Sequence, residues 1–390
     1  MLENNAGDFI FCEQKERLGT GHAVKQAAPY LPDTGKTLVL YADVPLISTA
    51  SLNKLIKSAQ RKKISILTSK ITKPKGYGRI IRDEKMNPTN IREEADASTQ
   101  EKTINEIFTG IMIADNEFLK NGLKGLVRNN KAGEYYLTDL VEYASKRKLP
   151  IGSTETKELE VFGANNKKEL EGLYNAMVAL NIDAAKKKGT FFKDTSTCYV
   201  EGVLKVGKDV SIGNNVTIKG NVVLGNDVSI GSNVVLSNTK IGSNSTIKEF
   251  CSIEDSKIAE NVEVGPFARL RNGAVLDSSA KIGNFVEVKK SRIGQNTKAN
   301  HHAYIGDADI GKKSNIGAGT ITCNYDGENK HKTKIGDSVF IGSNSSLVAP
   351  LKVGKKSYVA AGSVVTSDVP AGSLAFGRAK QKNKSNWKKK

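Results

Sequence analysis

The sequence predicts two folds in one chain, an α/β domain followed by a parallel β-helix of hexapeptide repeats. Two observations lead to this prediction. From Val206 onward, an aliphatic residue that is often followed by Gly returns every five or six positions, whereas residues 1–170 show no such period and alternate between strand-like and helix-like segments. A hydrophobic content of 38% with only 6% aromatic residues fits a core of small β-branched side chains.

The first domain is predicted from segments in which strands and helices alternate. Strands are expected in TLVLYADVPLI (at about residues 38–41), ISILTSKI and FTGIMIAD, and helices in STASLNKLIKSAQ and EYYLTDLVEYASKR. Such alternation is typical of a mostly parallel sheet. Asp43 follows the first of these strands and is therefore expected at the edge of the sheet where α/β proteins bind ligands.

The expected domain is an incomplete version of the doubly wound fold. That fold opens with a strand, a Gly-rich turn and a helix whose N-terminus binds phosphate, and no such segment is found here. Apolar residues at helical spacing between about 167 and 188 predict a helix that links the two folds. The expected organisation is a partial α/β domain at 1–167, a linker helix at 168–190, a β-helix at 191–378 and a basic tail at 379–390.

The repeat predicts a triangular coil. Six residues form one short strand and a turn, so three sides close a coil of about 18 residues, and stacked coils pair as parallel strands about 4.8 Å apart. The aliphatic position is expected to point inward, and the Gly or Asn beside it to allow a corner at which φ is positive. One insertion, TCNYDGENKHKTK, interrupts the repeat after IGAGTI. Insertions into such coils cost little chain entropy and often carry function.

Net charge and cysteine content limit the classes of binding partner and the cellular compartment that are expected for this protein. The formal net charge is +18, and a basic protein can bind nucleic acid, anionic membranes or phosphorylated small molecules. Because the sequence has no nucleic-acid-binding motif, phosphorylated substrates are the preferred explanation and no specific nucleic acid is expected. No apolar run is long enough for membrane insertion, and the four cysteines form no CxxC pair. A cytoplasmic protein with reduced thiols is expected.

Two of the four histidines, His301 and His302, stand side by side in TKANHHAYIGDADIG. Because neighbouring residues of a strand point to opposite faces, at most one of them should face a site. Histidine is a suitable general base near neutral pH. A zinc site is a competing interpretation, with His331 as the third candidate ligand.

Seven segments together resemble one family over nearly the whole chain. They are ERLGTGHAVKQAAPYL, LYADVPLIS, KGYGRIIR, AGEYYLTDLV, GPFARLR, GNFVEVKKSRIG and IGAGTITCNYDGENKHKT. They are similar to the bifunctional UDP-N-acetylglucosamine pyrophosphorylase and glucosamine-1-phosphate N-acetyltransferase. The resemblance implies a nucleotidyltransferase domain that acts as a uridyltransferase, joined to an acetyltransferase on a left-handed β-helix. It also implies a homotrimer.

The implied reactions are consecutive. Acetyl-CoA and glucosamine-1-phosphate give N-acetylglucosamine-1-phosphate, and UTP then converts this product to UDP-N-acetylglucosamine and pyrophosphate. The nucleotide sugar serves peptidoglycan and lipopolysaccharide precursor synthesis in the family. The competing interpretation is a non-catalytic oligomer scaffold.

The resemblance implies roles for matched positions of the β-helix. His301 aligns with the catalytic histidine, and His302 with a neighbouring position that does not face the site. Glu287, close by in the repeat, is expected to hold the amine or to orient the ring, and a backbone N–H near Ala318 to stabilise the oxyanion. The matched sugar-phosphate contacts are Arg271, Lys289, Tyr304, Asn315, Asn324 and Tyr325, and the matched acetyl-CoA contacts are Ala318, Ser343, Ala361 and Arg378.

The resemblance also implies a UDP-N-acetylglucosamine site in the first domain. Its matched contacts are Gln14, Gly19, Thr20, Tyr41, Ala42, Asp43, Gly78, Glu93 and Asn165, with Asp43 and Asn165 as ligands of Mg²⁺. Two features depart from the family. The Gly-rich loop and the lysine that grip the nucleotide triphosphate are not found, and Phe108 stands where the family commonly has Asn. We therefore expect an impaired uridyltransferase and an unaffected acetyltransferase.

Overall fold

The computed structural model describes residues 9–164, 166–385 and 387. The chain divides into two compact units, residues 1–174 and 175–390, and the division falls within the helix Lys167–Lys186, where the linking helix was predicted. Within the described part of the chain, no helix is both long and apolar enough to cross a membrane.

The first unit consists of a six-stranded sheet and its helices. The elements run in the order α1 (Thr20–Ala27), β1 (Lys36–Val39), α2 (Thr49–Ser58), β2 (Ile64–Lys70), β3 (Arg79–Arg82), β4 (Pro88–Arg92), β5 (Glu106–Asp115), α3 (Asn116–Lys124), α4 (Asp139–Lys146), β6 (Ile151–Thr156) and α5 (Lys167–Lys186). Side chains cap α2, α3 and α5, because Ser48 accepts from the N–H of Ser51, Asp115 from the N–H of Phe118, and Asn166 from the N–H of Glu169.

The sheet is mixed, so the prediction of a mostly parallel sheet is wrong. Its order is β4-β3-β5-β2-β6, and β1 also pairs with β5. Strand β5 runs antiparallel to β1, β2 and β3, and β2 pairs in parallel with β6. The connection through α2 lets β1 and β2 run in the same direction. Strand β5 follows the β3–β4 hairpin in the chain, lies between β1 and β2, and runs antiparallel to both. Both β2 and β5 are almost entirely buried, which explains their continuous apolar sequences.

The second unit is the predicted parallel β-helix. Its strands are β7 (Phe191–Phe192), β8 (Tyr199–Val206), β9 (Ser211–Ile212), β10 (Thr217–Leu224), β11 (Ser229–Ile230), β12 (Val235–Ser237), β13 (Lys240–Ile241), β14 (Thr246–Ile247), β15 (Ser252–Glu254), β16 (Lys257–Ile258), β17 (Glu263–Val264), β18 (Arg269–Arg271), β19 (Val275–Leu276), β20 (Lys281–Lys289), β21 (Arg292–Ile293), β22 (Lys298–Gly306), β23 (Ala308–Ile310), β24 (Asn315–Ile316), β25 (Ile321–Cys323), β26 (Thr333–Ile335), β27 (Phe340–Ile341), β28 (Ser346–Val348), β29 (Leu351–Val353), β30 (Tyr358–Val359), β31 (Val364–Val365) and β32 (Leu374–Ala375).

The core of the β-helix consists of columns of inward aliphatic side chains. One column is in register through five coils and has no exposed surface on any member: Leu236, Ile253, Leu270, Val288 and Ile305. Each coil pairs in parallel with the next, so each strand extends the column on its own side of the coil. Burial of these side chains is the main stabilising contribution, at about 1.5–3 kcal/mol for each fully buried aliphatic residue.

The expectation of a positive φ directly beside the aliphatic residue is wrong, because the positive φ falls two positions after the Gly that follows it. Asp227 and Asn233 occupy corners with φ of 55° and 60°, a conformation that short polar residues tolerate. The Gly beside the aliphatic residue is required for close approach instead. A Cβ on Gly207 would lie 2.7 Å from the backbone N of Asn226 in the next coil.

Candidate functional site

One side of the β-helix carries several of the predicted sugar-phosphate contacts. Strands β18, β20 and β22 pair in parallel, with Arg271 in register with Lys289 and Glu287 in register with Tyr304. We call the side formed by these four residues the Arg271–Tyr304 side. A Cβ on Gly306 would lie 2.5 Å from the hydroxyl of Tyr304, so the phenol ring covers Gly306.

Two ion pairs organise this side. Nε of Arg271 lies 2.6 Å from Oε1 of Glu287, and Nζ of Lys289 lies 2.9 Å from Oδ2 of Asp307. The Lys289 and Asp307 side chains are only 9% and 7% exposed. The hydrogen bond that Lys289 donates to Asp307 raises the pKa of Lys289, against the effect of burial. Burial acts to raise the pKa of Asp307, but hydrogen bonds from Lys289 and Asn324 outweigh it and the pKa is lowered.

The two neighbouring histidines are separated by a corner. Nδ1 of His301 lies 2.8 Å from Oδ1 of Asn284, with which it is in register. His302 has a φ of 44°, and both rings are exposed. Their separation therefore comes from the change of direction at the corner, and the expected strand alternation is wrong.

Glu287 does not contact the ring of His301, because it is paired with Arg271. The partner of the ring is Asn284, which sequence reasoning missed. The signal that could have found it is the repeat itself, since Asn284 stands 17 residues before His301 and therefore one coil earlier.

The predicted acetyl-CoA contacts lie along the corner that begins at His301. Strands β22, β24, β27 and β30 pair in register just before it. Four residues therefore occupy the same position in successive coils: His301, Ala318, Ser343 and Ala361. We call this set the His301–Ala361 column. Arg378 lies at its end, because its Cδ would be 3.9 Å from a Cβ on Gly362.

Two predicted contacts lie apart from these groups. Asn315 belongs to β24 and is in register with Lys298, which precedes the corner, so it lies on a different side of the coil from Tyr304. Tyr325 is exposed in the insertion, and its hydroxyl donates to the carbonyl of Gly327.

The insertion forms a short loop anchored at Asn324. Asn324 is 7% exposed and its Nδ2 lies 2.5 Å from Oδ2 of Asp307. Its carbonyl accepts from the N–H of His331, and Nε2 of His331 lies 2.5 Å from Oδ2 of Asp326. Among the described residues, no group of three or more His, Cys, Asp or Glu side chains could hold a metal ion.

Several predicted UDP-N-acetylglucosamine contacts converge in the first unit. Burial, together with the charge of Glu93, raises the pKa of Tyr41 to about 12, although a hydrogen bond with Thr20 opposes this. Burial also raises the pKa of Glu93, which accepts from Oγ1 of Thr138 at 2.8 Å. A Cβ on Gly78 would lie 3.4 Å from Oε2 of Glu93. Because glycine has no side chain, the space beside this carboxylate stays open.

The remaining predicted residues of this unit occupy turns and the core. Nε2 of Gln14 donates to the carbonyl of Gly19 at 3.1 Å, directly before α1. Phe108 is buried in the main apolar cluster, so its side chain contributes to packing. Ala42 lies next to Asp43 in the exposed turn after β1.

The predicted Mg²⁺ site is described only at Asp43. Its carboxylate is exposed, and a Cβ on Gly163 would lie 3.6 Å from its Oδ2. Asn165, the second predicted ligand, lies outside the described residues. A carboxylate beside bare backbone fits Mg²⁺, which commonly binds one or two protein oxygens together with substrate phosphates.

Asp139 makes the stability of the first unit depend on pH. Burial, followed by the charges of Glu142 and Glu93, raises its pKa from 3.8 to about 6. An acid whose pKa is raised on folding contributes stability below its unfolded pKa and loses it as the pH rises from about 4 to about 6. Asp139→Asn should therefore raise the melting temperature of this unit by about 2–4 °C at pH 8, with little gain near pH 4. Calorimetry of the full chain checks this, and an equal gain at both pH values would contradict it.

Comparison with known proteins covers both units. A nucleotidyl transferase family model matches residues 4–159, a GMPPB C-terminal domain model matches residues 197–283, and a model of the hexapeptide repeat of succinyl-transferase matches residues 332–367. The chain thus joins a nucleotidyltransferase domain to a parallel β-solenoid of hexapeptide repeats. The first match does not support the expectation that the nucleotide-binding half is impaired.

Curated relatives match almost the full length of this chain. A protein named bifunctional protein GlmU from Idiomarina loihiensis is 46% identical over 383 residues, which are 98% of this chain and 84% of that protein. Proteins of the same name from Acinetobacter baylyi and Nitrosomonas europaea are 48% and 45% identical, over 97% and 98% of this chain and 83% and 84% of theirs. At this identity and coverage, the chain belongs to the family of the bifunctional protein GlmU.

Proposed function

We propose that the β-helix transfers an acetyl group from acetyl-CoA to the amine of glucosamine-1-phosphate. The observation that carries this proposal is the position of His301 on β22. It stands at the start of the His301–Ala361 column and three residues before Tyr304 of the Arg271–Tyr304 side. A general base therefore lies between a cationic surface suited to a sugar phosphate and a row of small residues open to a thioester.

The contact with Asn284 selects the tautomer of the base. With Oδ1 of Asn284 facing the ring, Nδ1 of His301 would carry the proton and Nε2 would have a free lone pair, since an amide oxygen can only accept a hydrogen bond. Nε2 takes a proton from the amine as the new N–C bond forms. The C–S bond of the thioester then breaks, coenzyme A leaves, and the proton passes to its sulfur.

Other groups bind the substrate and the developing charge. Lys289 and Arg271 bind the phosphate, and Glu287, paired with Arg271, is placed to accept from the sugar amine. The N–H of Ala318 is the candidate oxyanion donor, because the N–H of Gly319 is already bonded to the carbonyl of His302 at 2.7 Å.

The test is steady-state turnover by the purified chain. Formation of N-acetylglucosamine-1-phosphate is followed by mass spectrometry and should require both acetyl-CoA and glucosamine-1-phosphate. Absence of product at high concentrations of both substrates would favour the scaffold interpretation.

Asn284 offers a prediction on the pH profile. Asn284→Asp places a carboxylate against the ring, which favours the protonated imidazole, so the acid limb of the kcat/KM profile should move up by about one pH unit or more. Asn284→Ala should lower kcat by about tenfold without moving that limb, because the ring loses its orienting partner. Identical pH profiles for the wild type and Asn284→Asp would contradict this role.

The first unit supports a second activity, uridylyl transfer from UTP to N-acetylglucosamine-1-phosphate. The support is the nucleotidyl transferase match over residues 4–159 and the convergence of Tyr41, Gly78 and Glu93. Asp43 would hold Mg²⁺, which neutralises phosphate charge when bound. The test is to measure pyrophosphate release from UTP in the presence of N-acetylglucosamine-1-phosphate. Release near background would contradict this second activity.

The proposal extends to a homotrimer. Phe250, Phe267 and Phe285 stack along one corner with ring centroids 4.9 and 5.2 Å apart, and each is about half exposed. Exposed aromatic rows of this kind favour burial against another chain. Within one chain, Asn315 and Tyr304 lie on different sides of the coil, so they cannot both face one sugar phosphate. A second copy of the chain would bring its own Asn315 to the site that contains Tyr304. Sedimentation of the purified chain tests this part.

A further inference from the structure

Asp307 contacts three segments of the β-helix at once. Its N–H donates to the carbonyl of Lys289 at 3.1 Å, and its own carbonyl accepts from the N–H of Thr333 at 3.2 Å. Its Oδ2 accepts from Nζ of Lys289 at 2.9 Å and from Nδ2 of Asn324 at 2.5 Å. Asn324 directly follows β25 and Thr333 begins β26, so they mark the two ends of the loop within the insertion. One residue therefore holds both ends of this loop against the coil below.

The carboxylate lies among positive charges. Lys330, from the insertion, lies beside the Lys289 side chain. One carboxylate placed against these two lysines still leaves an excess of positive charge for an anion. The hydrogen bonds also restrict Lys289, an otherwise flexible side chain, to a single direction.

We infer that Asp307 is a positioning residue, which holds Lys289 and the Asn324 end of the insertion in the geometry that binds the phosphate of the sugar substrate. This inference rests on the proposed acetyl transfer, because it concerns the same site. Asp307 itself does not need to touch the substrate. Its effect should therefore appear in the KM for glucosamine-1-phosphate and leave the chemistry at His301 unchanged.

The main test compares Asp307→Asn with wild type in steady-state kinetics. The amide keeps the size of the side chain but removes its charge. KM for glucosamine-1-phosphate should rise about tenfold or more, with kcat and the KM for acetyl-CoA within about twofold. Asp309→Asn is the matched control, because Asp309 is exposed two residues further on, and it should leave all three constants unchanged. Equal rises in both KM values, or no rise, would overturn the inference.

A double-mutant cycle with Lys289→Gln separates positioning from general stability. If Asp307 acts through Lys289, the two effects on KM should be strongly non-additive. Strict additivity would overturn the inference. Should Asp307→Asn fail to fold, as judged by its melting temperature, Asp307→Glu keeps the charge at a displaced position. It should then raise the same KM alone, and an unchanged KM would again refute the positioning role.

Failure of the inference and failure of the proposed function give different results. If the wild type turns over and Asp307→Asn has a normal KM, only the inference fails. If the wild type does not turn over, the proposed function fails. Calorimetric titration with glucose-1-phosphate then still tests Asp307. Binding that is at least tenfold weaker in the variant than in the wild type supports the positioning role, and equal binding overturns it.

Discussion

His301→Ala should reduce kcat for acetyl transfer by about 10²–10⁴-fold, the range expected when a general base is lost. KM for either substrate should change little, because the ring acts on the proton of the attacking amine and contributes little to binding. His302→Ala is the matched control, since its ring is also exposed but the residue occupies the corner position itself, and the hydrogen bond with Asn284 belongs to His301. It should keep activity within about twofold of wild type.

Steady-state kinetics of both variants with matched melting temperatures checks this prediction. Equal losses in the two variants would contradict it, because they would indicate a disturbed corner and not a lost base. A selective loss in His302→Ala would reverse the assignment of the two rings.

Lys289→Gln should raise KM for glucosamine-1-phosphate by about 10–100-fold, because a hydrogen bond to a charged group contributes about 1.5–3 kcal/mol. The ammonium is held by Asp307 and nearly buried, so water screens its charge weakly. Arg271→Gln should act in the same direction. Because Arg271 is more exposed than Lys289, its effect should be smaller.

Lys290→Gln provides the matched control, since Lys290 is the next residue and is exposed. It should leave the KM for the sugar phosphate within about twofold of wild type. Product formation at varied glucosamine-1-phosphate and saturating acetyl-CoA measures all three variants. A similar rise for Lys289→Gln and Lys290→Gln would mean that diffuse surface charge, and not a defined phosphate site, determines affinity.

The β-helix could be predicted in detail because its determinants are local. The aliphatic residue at every fifth or sixth position must be buried. A side of six residues is too short to bury it alone, so the coils have to stack and form a continuous apolar column. The inward residues from Leu236 to Ile305 follow this rule without exception. The assignment of His301 to a site also came from the sequence, through the family-like segment around it.

The partners within the site depended on contacts between coils. Asn284 reaches His301, and Asp307 reaches Lys289, because register places residues 17 and 18 positions apart next to each other. The sequence alone suggested that Glu287, close by in the repeat, would hold the amine or orient the ring. Only the stacking of the coils shows that Glu287 pairs with Arg271.

By itself, the sequence determined the two folds, the inward face of the repeat and the resemblance that selects the candidate residues. The tertiary structure alone decided the direction of β5, the corner at His302 and the role of Gly207. The physical reason is the same in each case. Strand propensity and the hydrophobic period depend on residues that are close in the sequence. Strand order and close backbone approach depend on which distant segment packs against a strand in the folded chain.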